Sequence, residues 1–156
     1  MGIILNLGSG NCVRQEGMVN VDIRHTPFVD VIADVRELPY KDGEIEGIVN
    51  RNLIEHFARN EITPLLKEWA RVIQKGGFLM VETVDMGELM NHWKEIPEEN
   101  LLDGILGAQT YDENFHKMIF TRDMLERYLT EAGMEVKEVE QFITREIPRI
   151  KILAIK

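Results

Sequence analysis

The sequence predicts an α/β fold: a mostly parallel sheet packed with helices and closed at its C-terminal end by an antiparallel hairpin. Three observations carry this. Short β-rich runs alternate with turns through the first half, and runs that are apolar on both faces suit the buried strands of a parallel sheet. Apolar stripes of helical period lie between and after them. Two strand-like runs at the end, Met134–Phe142 and Ile147–Lys156, are separated only by Ile143-Thr144-Arg145-Glu146, too short a link for a parallel crossover.

The elements follow in order. Ile3–Leu7 is a strand ending at Gly8-Ser9-Gly10. Val19–Ile23, carrying Asp22, and Val29–Val35, carrying Asp34, are the next two. Ile45–Asn50 follows the Lys41-Asp42-Gly43 turn, and Phe78–Thr83 follows Gly76-Gly77. Leu65, Leu66, Trp69, Val72 and Ile73 form one helical stripe, with Gly76-Gly77 as its C-terminal stop. Asp85 can cap a helix whose Met86, Leu89, Met90 and Trp93 share a face, and Glu98–Leu106 is a shorter helix. Thr121 is a further N-cap, with Phe120 and Leu125 as a hydrophobic staple, and that helix ends at Gly133.

The chain has 156 residues, the length of one domain, and no repeat or linker divides it, so 1–156 reads as a single unit. Eighteen Lys and Arg against 27 Asp and Glu give a net charge of −9, which argues against a nucleic-acid partner or an anionic membrane surface. No apolar stretch is long enough to span a bilayer. The start, Met1-Gly2-Ile3-Ile4-Leu5-Asn6, lacks the basic region and cleavage site of a signal peptide, which predicts a cytoplasmic protein. Cys12 is the only cysteine, and His25, His56, His92 and His116 show no paired ligand spacing, so no metal site is expected.

The strongest local signal is the turn Gly8-Ser9-Gly10 at the end of the first strand, where glycines let a ligand approach the main chain. Alone it is equally a tight turn. A dinucleotide fingerprint would want a third glycine at position 13, which is Val, and an acid about 20 residues on. Asp22 comes too soon for that. It can instead accept from both ribose hydroxyls of a nucleoside, and Asp34 from an adenine amino group while a neighbouring backbone N–H meets the ring. A glycine turn, a ribose acid and an adenine acid at three successive strand ends are more specific together than any one of them.

On these residues the chain resembles the class I S-adenosylmethionine-dependent methyltransferases, in particular a small type 11-like group. Leu5-Asn6-Leu7-Gly8-Ser9-Gly10 resembles their first motif, and Val19-Asn20-Val21-Asp22-Ile23 their ribose-binding second strand. Ala33-Asp34-Val35-Arg36-Glu37-Leu38-Pro39-Tyr40 is similar to the segment that meets adenine, and Ile48–Phe57, with Glu55-His56-Phe57, to the fourth strand and its exit. Trp69–Leu79 is similar to the segment that leads into strand five. The resemblance implies a Rossmann-like three-layer sandwich on a seven-stranded sheet. It implies S-adenosylmethionine as cofactor, S-adenosylhomocysteine as product, and cofactor contacts at Asn6, Gly8, Ser9, Gly10, Asp22, Ile23, Asp34, Val35 and Asn50. The chain departs from the family where Asn6 replaces an acid and Cys12 a glycine, and where the first interstrand helix is cut to a loop.

Methyl transfer from a sulfonium needs proximity and alignment and, for an alcohol or phenol acceptor, a base. On the family's substrate face lie Gln109 and Tyr111, in the insertion before the Thr121 helix, and the candidate bases His56, Asp85 and His116. Each has a plainer role: His56 as an anchor for a helix start, Asp85 as a helix cap, His116 as a pin in a loop. The function expected is methyl transfer to an O or N nucleophile of a small molecule. The alternative is a binding module that keeps the fold and the cofactor without catalysis, and a homodimer would cover apolar surface left by missing cap helices.

Overall fold

The computed structural model describes residues 2–13 and 16–156. Its seven strands are β1 (Ile3–Leu7), β2 (Met18–Asp22), β3 (Val31–Ile32), β4 (Ile45–Arg51), β5 (Ile73–Val84), β6 (Glu135–Thr144) and β7 (Ile147–Ile155). The helices are α1 (Ile62–Val72), α2 (Met86–His92), α3 (Glu98–Leu106) and α4 (Arg122–Glu131). The strands form one sheet in the order β3-β2-β1-β4-β5-β7-β6. Pairs from β3 to β5 are parallel, while β7 lies antiparallel to both β5 and β6. The predicted mostly parallel, seven-stranded sheet with its C-terminal hairpin is what the chain adopts.

The alternation of β5 explains the layers. Leu79 and Val81 face the main core, where Leu5, Ile48 and Ile152 meet Leu65 and Trp69 of α1 and Leu125 and Leu129 of α4. Val84, of opposite parity, turns to the other face, where a Cβ on Gly104 of α3 would lie within 4 Å of Leu89 of α2, Ile147 and Val84. Trp69 is fully buried, and its indole Nε1 donates to the Val35 carbonyl at 3.0 Å, tying α1 to the loop after β3. Leaving that carbonyl without a partner would cost about 1–3 kcal/mol.

Three local expectations change. The third strand shrinks from Val29–Val35 to Val31–Ile32. Asp30 is drawn sideways to accept from the Asn20 N–H, and Asp34 turns the chain by accepting from the Arg36 N–H and, with its carbonyl, from the Glu37 N–H. The helix expected to stop at Gly76-Gly77 ends at Val72, because buried, β-branched Ile73 is already extended (φ −69°, ψ 133°) and pairs with Ile45. The glycine pair lies inside β5, where a Cβ on Gly77 would meet the Glu46 carbonyl at 2.5 Å. The hairpin link is Arg145-Glu146 alone, both in the left-handed region (φ 49° and 63°), the backbone of a two-residue turn without its usual Asn-Gly.

The helix caps form as expected. Thr121 Oγ1 accepts from the Met124 N–H, with Phe120 and Leu125 fully buried beside it, and Asp85 Oδ1 accepts from the Glu88 N–H. Between β1 and β2 the described residues form no helix, and Arg14 and Gln15 lie outside them. The chain moves from β1 to β2 on one side and to β4 on the other. The crevice at the carboxyl ends of β1 and β4 is thus the switch point where open α/β sheets bind ligands.

Candidate functional site

At the exit of β1, the N–H groups of Gly8 and Ser9 both reach the Val21 carbonyl, at 2.9 and 3.2 Å, folding the chain back over the end of β2. Gly8 and Gly10 take positive φ (66° and 55°), and a Cβ on Gly8 would lie 2.9 Å from both Leu53 methyls. Only glycine fits there without strain. The Gly10 N–H donates to Asp22 Oδ2 at 2.7 Å, and Asp22 Oδ1 accepts from the Arg24 N–H at 2.9 Å. Asp22 is therefore buried and oriented, with lone pairs left over for further donors.

Asn6 lies behind this turn rather than in the crevice. Its Nδ2 donates to Asn20 Oδ1 at 2.9 Å, and Asn20 Nδ2 donates to the carbonyls of Cys12 and Phe28. The pair ties together the loops before and after β2.

Asp34 stands two residues past the end of β3. Arg36 folds back on it, Nη2 at 2.7 Å and Nε at 3.0 Å, and extends Nη1 to Glu61 Oε1 at 3.1 Å. The guanidinium holds the Asp34 carboxyl below its ordinary range. The same Asp-x-Arg spacing occurs at Asp22 and Arg24, whose guanidinium also stacks 4.1 Å over the Tyr111 ring.

After β4, Asn52 takes a left-handed conformation (φ 53°), and a 3₁₀ turn over Ile54–His56 comes next. The His56 ring lies 5.2 Å from that of His116, whose Nδ1 is 3.1 Å from the Gly104 carbonyl. Burial first, and then His116, Lys117 and Arg24, push His56 down to about 4. Burial likewise lowers His116. Both rings are neutral at neutral pH.

Glu55, beneath them, is fully buried, and neither carboxyl oxygen makes a hydrogen bond of ordinary geometry, although Thr83 lies close. Burial pushes its pKa from 4.5 up to about 7, against smaller opposing pulls that include Arg149. An acid whose folded pKa is raised holds its proton more tightly folded than unfolded, so stability falls as pH climbs from about 4.5 to about 7 and levels off above. Glu55→Gln removes that penalty. Urea melts should find the variant more stable than the parent by on the order of 3 kcal/mol at pH 8, the difference closing towards pH 4.

These elements enclose a cavity of about 290 Å³. Of the sequence-predicted residues, Gly8, Asp22, Ile23, Asp34, Val35 and His56 line it. Ser9, Gly10 and Asn50 are not in the lining; Ser9 Oγ and the Asn50 amide, beside it at the ends of β1 and β4, are buried without hydrogen-bond partners. His116 reaches it only through His56. Asp85 is not brought to it: its Oδ1 caps α2 and its Oδ2 accepts from Gln141 Nε2 at 2.6 Å, so its place is that of a helix cap and not of a base. Arg24, Arg36, Asn52, Glu61 and Lys117 also line the cavity, and sequence reasoning misses them; Tyr111, placed by the sequence in the insertion on the substrate face, lines it too. The repeated Asp-x-Arg is the signal that could have found Arg24 and Arg36. No group of three or more His, Cys, Asp or Glu among the described residues is placed to hold a metal ion. No helix among them is long and apolar enough to cross a membrane.

Comparison with known proteins agrees with this geometry. Residues 11–81 match the family model described as a methyltransferase domain. No curated protein matches the chain. Among solved structures it resembles a S-adenosylmethionine-dependent methyltransferase from Methanosarcina mazei, at 17% identity and TM-score 0.66, over 99% of this chain and 92% of that one. It also resembles a possible histamine N-methyltransferase from Thermotoga maritima, at 20% identity and TM-score 0.69, over 100% and 83%. A third is the 1,6-didemethyltoxoflavin-N1-methyltransferase of Burkholderia thailandensis, solved with its substrate and S-adenosylhomocysteine, at 14% identity and TM-score 0.72, over 99% and 70%. The chain thus has the class I S-adenosylmethionine-dependent methyltransferase fold, and its residues 11–81 carry the sequence pattern of the methyltransferase domain.

Proposed function

We propose that this chain is an S-adenosylmethionine-dependent methyltransferase acting on an O or N nucleophile of a small molecule. The observation that carries the reading is the convergence on one cavity of the Gly8 turn and the acids Asp22 and Asp34, at the switch point between β1 and β4. The residues suit the cofactor. Ser9 Oγ and the Asn50 amide are buried polar groups without protein partners at the ends of β1 and β4, where the methionyl end would be held beside Gly8 and Gly10. Asp22 would take the ribose hydroxyls, and Asp34 with the Val35 backbone the base. When bound, S-adenosylmethionine supplies an electrophilic methyl group for in-line displacement.

The protein's own work is alignment. Leu53 and Phe57 give the cavity apolar walls that exclude water, and neutral His56 offers a ring nitrogen to accept the acceptor's proton or orient its lone pair. A cavity of about 290 Å³ and a net charge of −9 favour a small acceptor over a polyanion. The test is calorimetry with S-adenosylmethionine, S-adenosylhomocysteine and NAD, followed by a screen of hydroxyl and amine acceptors. Binding of the first two and turnover of an acceptor support the proposal. Firm binding with no acceptor found would instead favour a binding module, and preference for NAD would overturn the cofactor assignment.

A further inference from the structure

Among the described residues, Asn52 is the only non-glycine in the cavity lining whose backbone is left-handed. That conformation is disfavoured for L residues, for Asn less than for most, and the surroundings select it. Two groups from neighbouring strands do so. The Asn52 N–H donates to the Glu82 carbonyl of β5 at 3.0 Å, and Asn52 Oδ1 accepts from Arg149 Nη2 of β7. Arg149 is itself confined: its side chain is 11% exposed, and its buried Nε, without a hydrogen bond, lies 3.3 Å from Glu82 Oε1, a carboxylate that also faces Arg51 at 3.6 Å.

The turn at Asn52 sets the path of the chain beyond it. Leu53 comes next and fills the space beside Gly8, and the 3₁₀ turn then delivers His56 to the acceptor side. A change of backbone at one residue therefore moves both walls of the cavity. The charge of Arg149 is also felt by Glu55 and His116 under and beside that turn.

We propose that Arg149 is a positioning residue: from the C-terminal hairpin it grips Asn52 in the left-handed turn and so sets where Leu53 and His56 stand in the cavity. What the cavity binds rests on the methyltransferase reading; the brace itself does not. Glycine adopts positive φ without penalty, so Asn52→Gly supplies the test, because a turn that needs no clamp should tolerate the loss of its clamp.

The experiment compares the parent with Arg149→Met, Asn52→Gly and the double variant. It measures S-adenosylhomocysteine affinity by calorimetry, the His56 titration by NMR of its ring protons, and the thermal midpoint. Arg149→Met is expected to weaken affinity about tenfold and move the His56 midpoint upward as the ring leaves its buried place. The double variant should recover most of both, with Arg149 still absent. A purely structural Arg149 would lower the thermal midpoint in both variants and leave affinity and the His56 titration at parental values; that result, or a double variant no better than Arg149→Met, overturns the proposal. If Arg149→Met does not fold, Arg149→Lys with and without Asn52→Gly makes the same comparison. If the parent binds no S-adenosylhomocysteine, the cofactor reading fails while the His56 titration still decides on the brace.

Discussion

Asp22→Ala is expected to weaken S-adenosylhomocysteine binding by about a hundredfold or more while the protein stays folded. Asp22 serves two ends. Its carboxylate would make charge-assisted bonds to the ribose hydroxyls, and their loss alone is worth roughly 1.5–3 kcal/mol, about tenfold to over a hundredfold. It also accepts from the N–H groups of Gly10 and Arg24, at 2.7 and 2.9 Å, so the same substitution frees the glycine turn and the arginine that stacks on Tyr111. The two losses act on one ligand and place the effect at the upper end. Asp22→Asn keeps an acceptor for one of the two N–H groups and should fall between the parent and Asp22→Ala. Calorimetry and a thermal melt of all three proteins separate the cases: unchanged affinity with a sharply lower melting point would make Asp22 a structural residue.

How much of the molecule is legible in the sequence depends on the range of the interactions involved. Element types and order are legible because burial imposes a local period: Leu65 to Val72 repeats as a helix face, and Ile147–Lys156 is so close to the preceding strand that only a hairpin can join them. The exact ends are not, since they depend on partners far along the chain. Ile73 leaves the helix to pair with Ile45, and the third strand stops early where Asp30 and Asp34 bond to backbone instead of continuing a ladder. Gly8, Asp22 and Asp34 are legible as residues of one crevice because they stand at or just past strand ends within the first 35 positions. The far side of the cavity is harder. Asn52, Glu55 and Arg149 acquire their environment from β4, β5 and β7 together, and nothing local marks Arg149 as the partner of a residue 97 positions away. His56 is found by its motif, but its lowered pKa is not legible, because burial beside His116 and two cations lies outside any local window.

That lowering sets the expected pH profile of catalysis. An unperturbed histidine base would give a rate rising through pH 6.5; with His56 held down to about 4, the ring is already unprotonated at every pH above about 5. Methylation of a hydroxyl acceptor should therefore be flat from about pH 5.5 to 8 where His56 is concerned, and its acidic limb should appear near 4. A weaker base also takes a proton with less driving force, so the contribution of His56 falls in the lower part of the usual range for general-base catalysis. His56→Ala should lower the rate by on the order of 10²–10³-fold and abolish the limb near 4, with S-adenosylhomocysteine affinity little altered. If the ring only anchors the 3₁₀ turn, the substitution will instead reduce stability and leave the shape of the profile as it was. An amine acceptor gives a third pattern, a rate that rises with the amine's own deprotonation in both proteins, because a neutral amine needs positioning and no base. Measuring initial rates across about pH 3.5–9 for both proteins, with one hydroxyl and one amine acceptor, distinguishes the three.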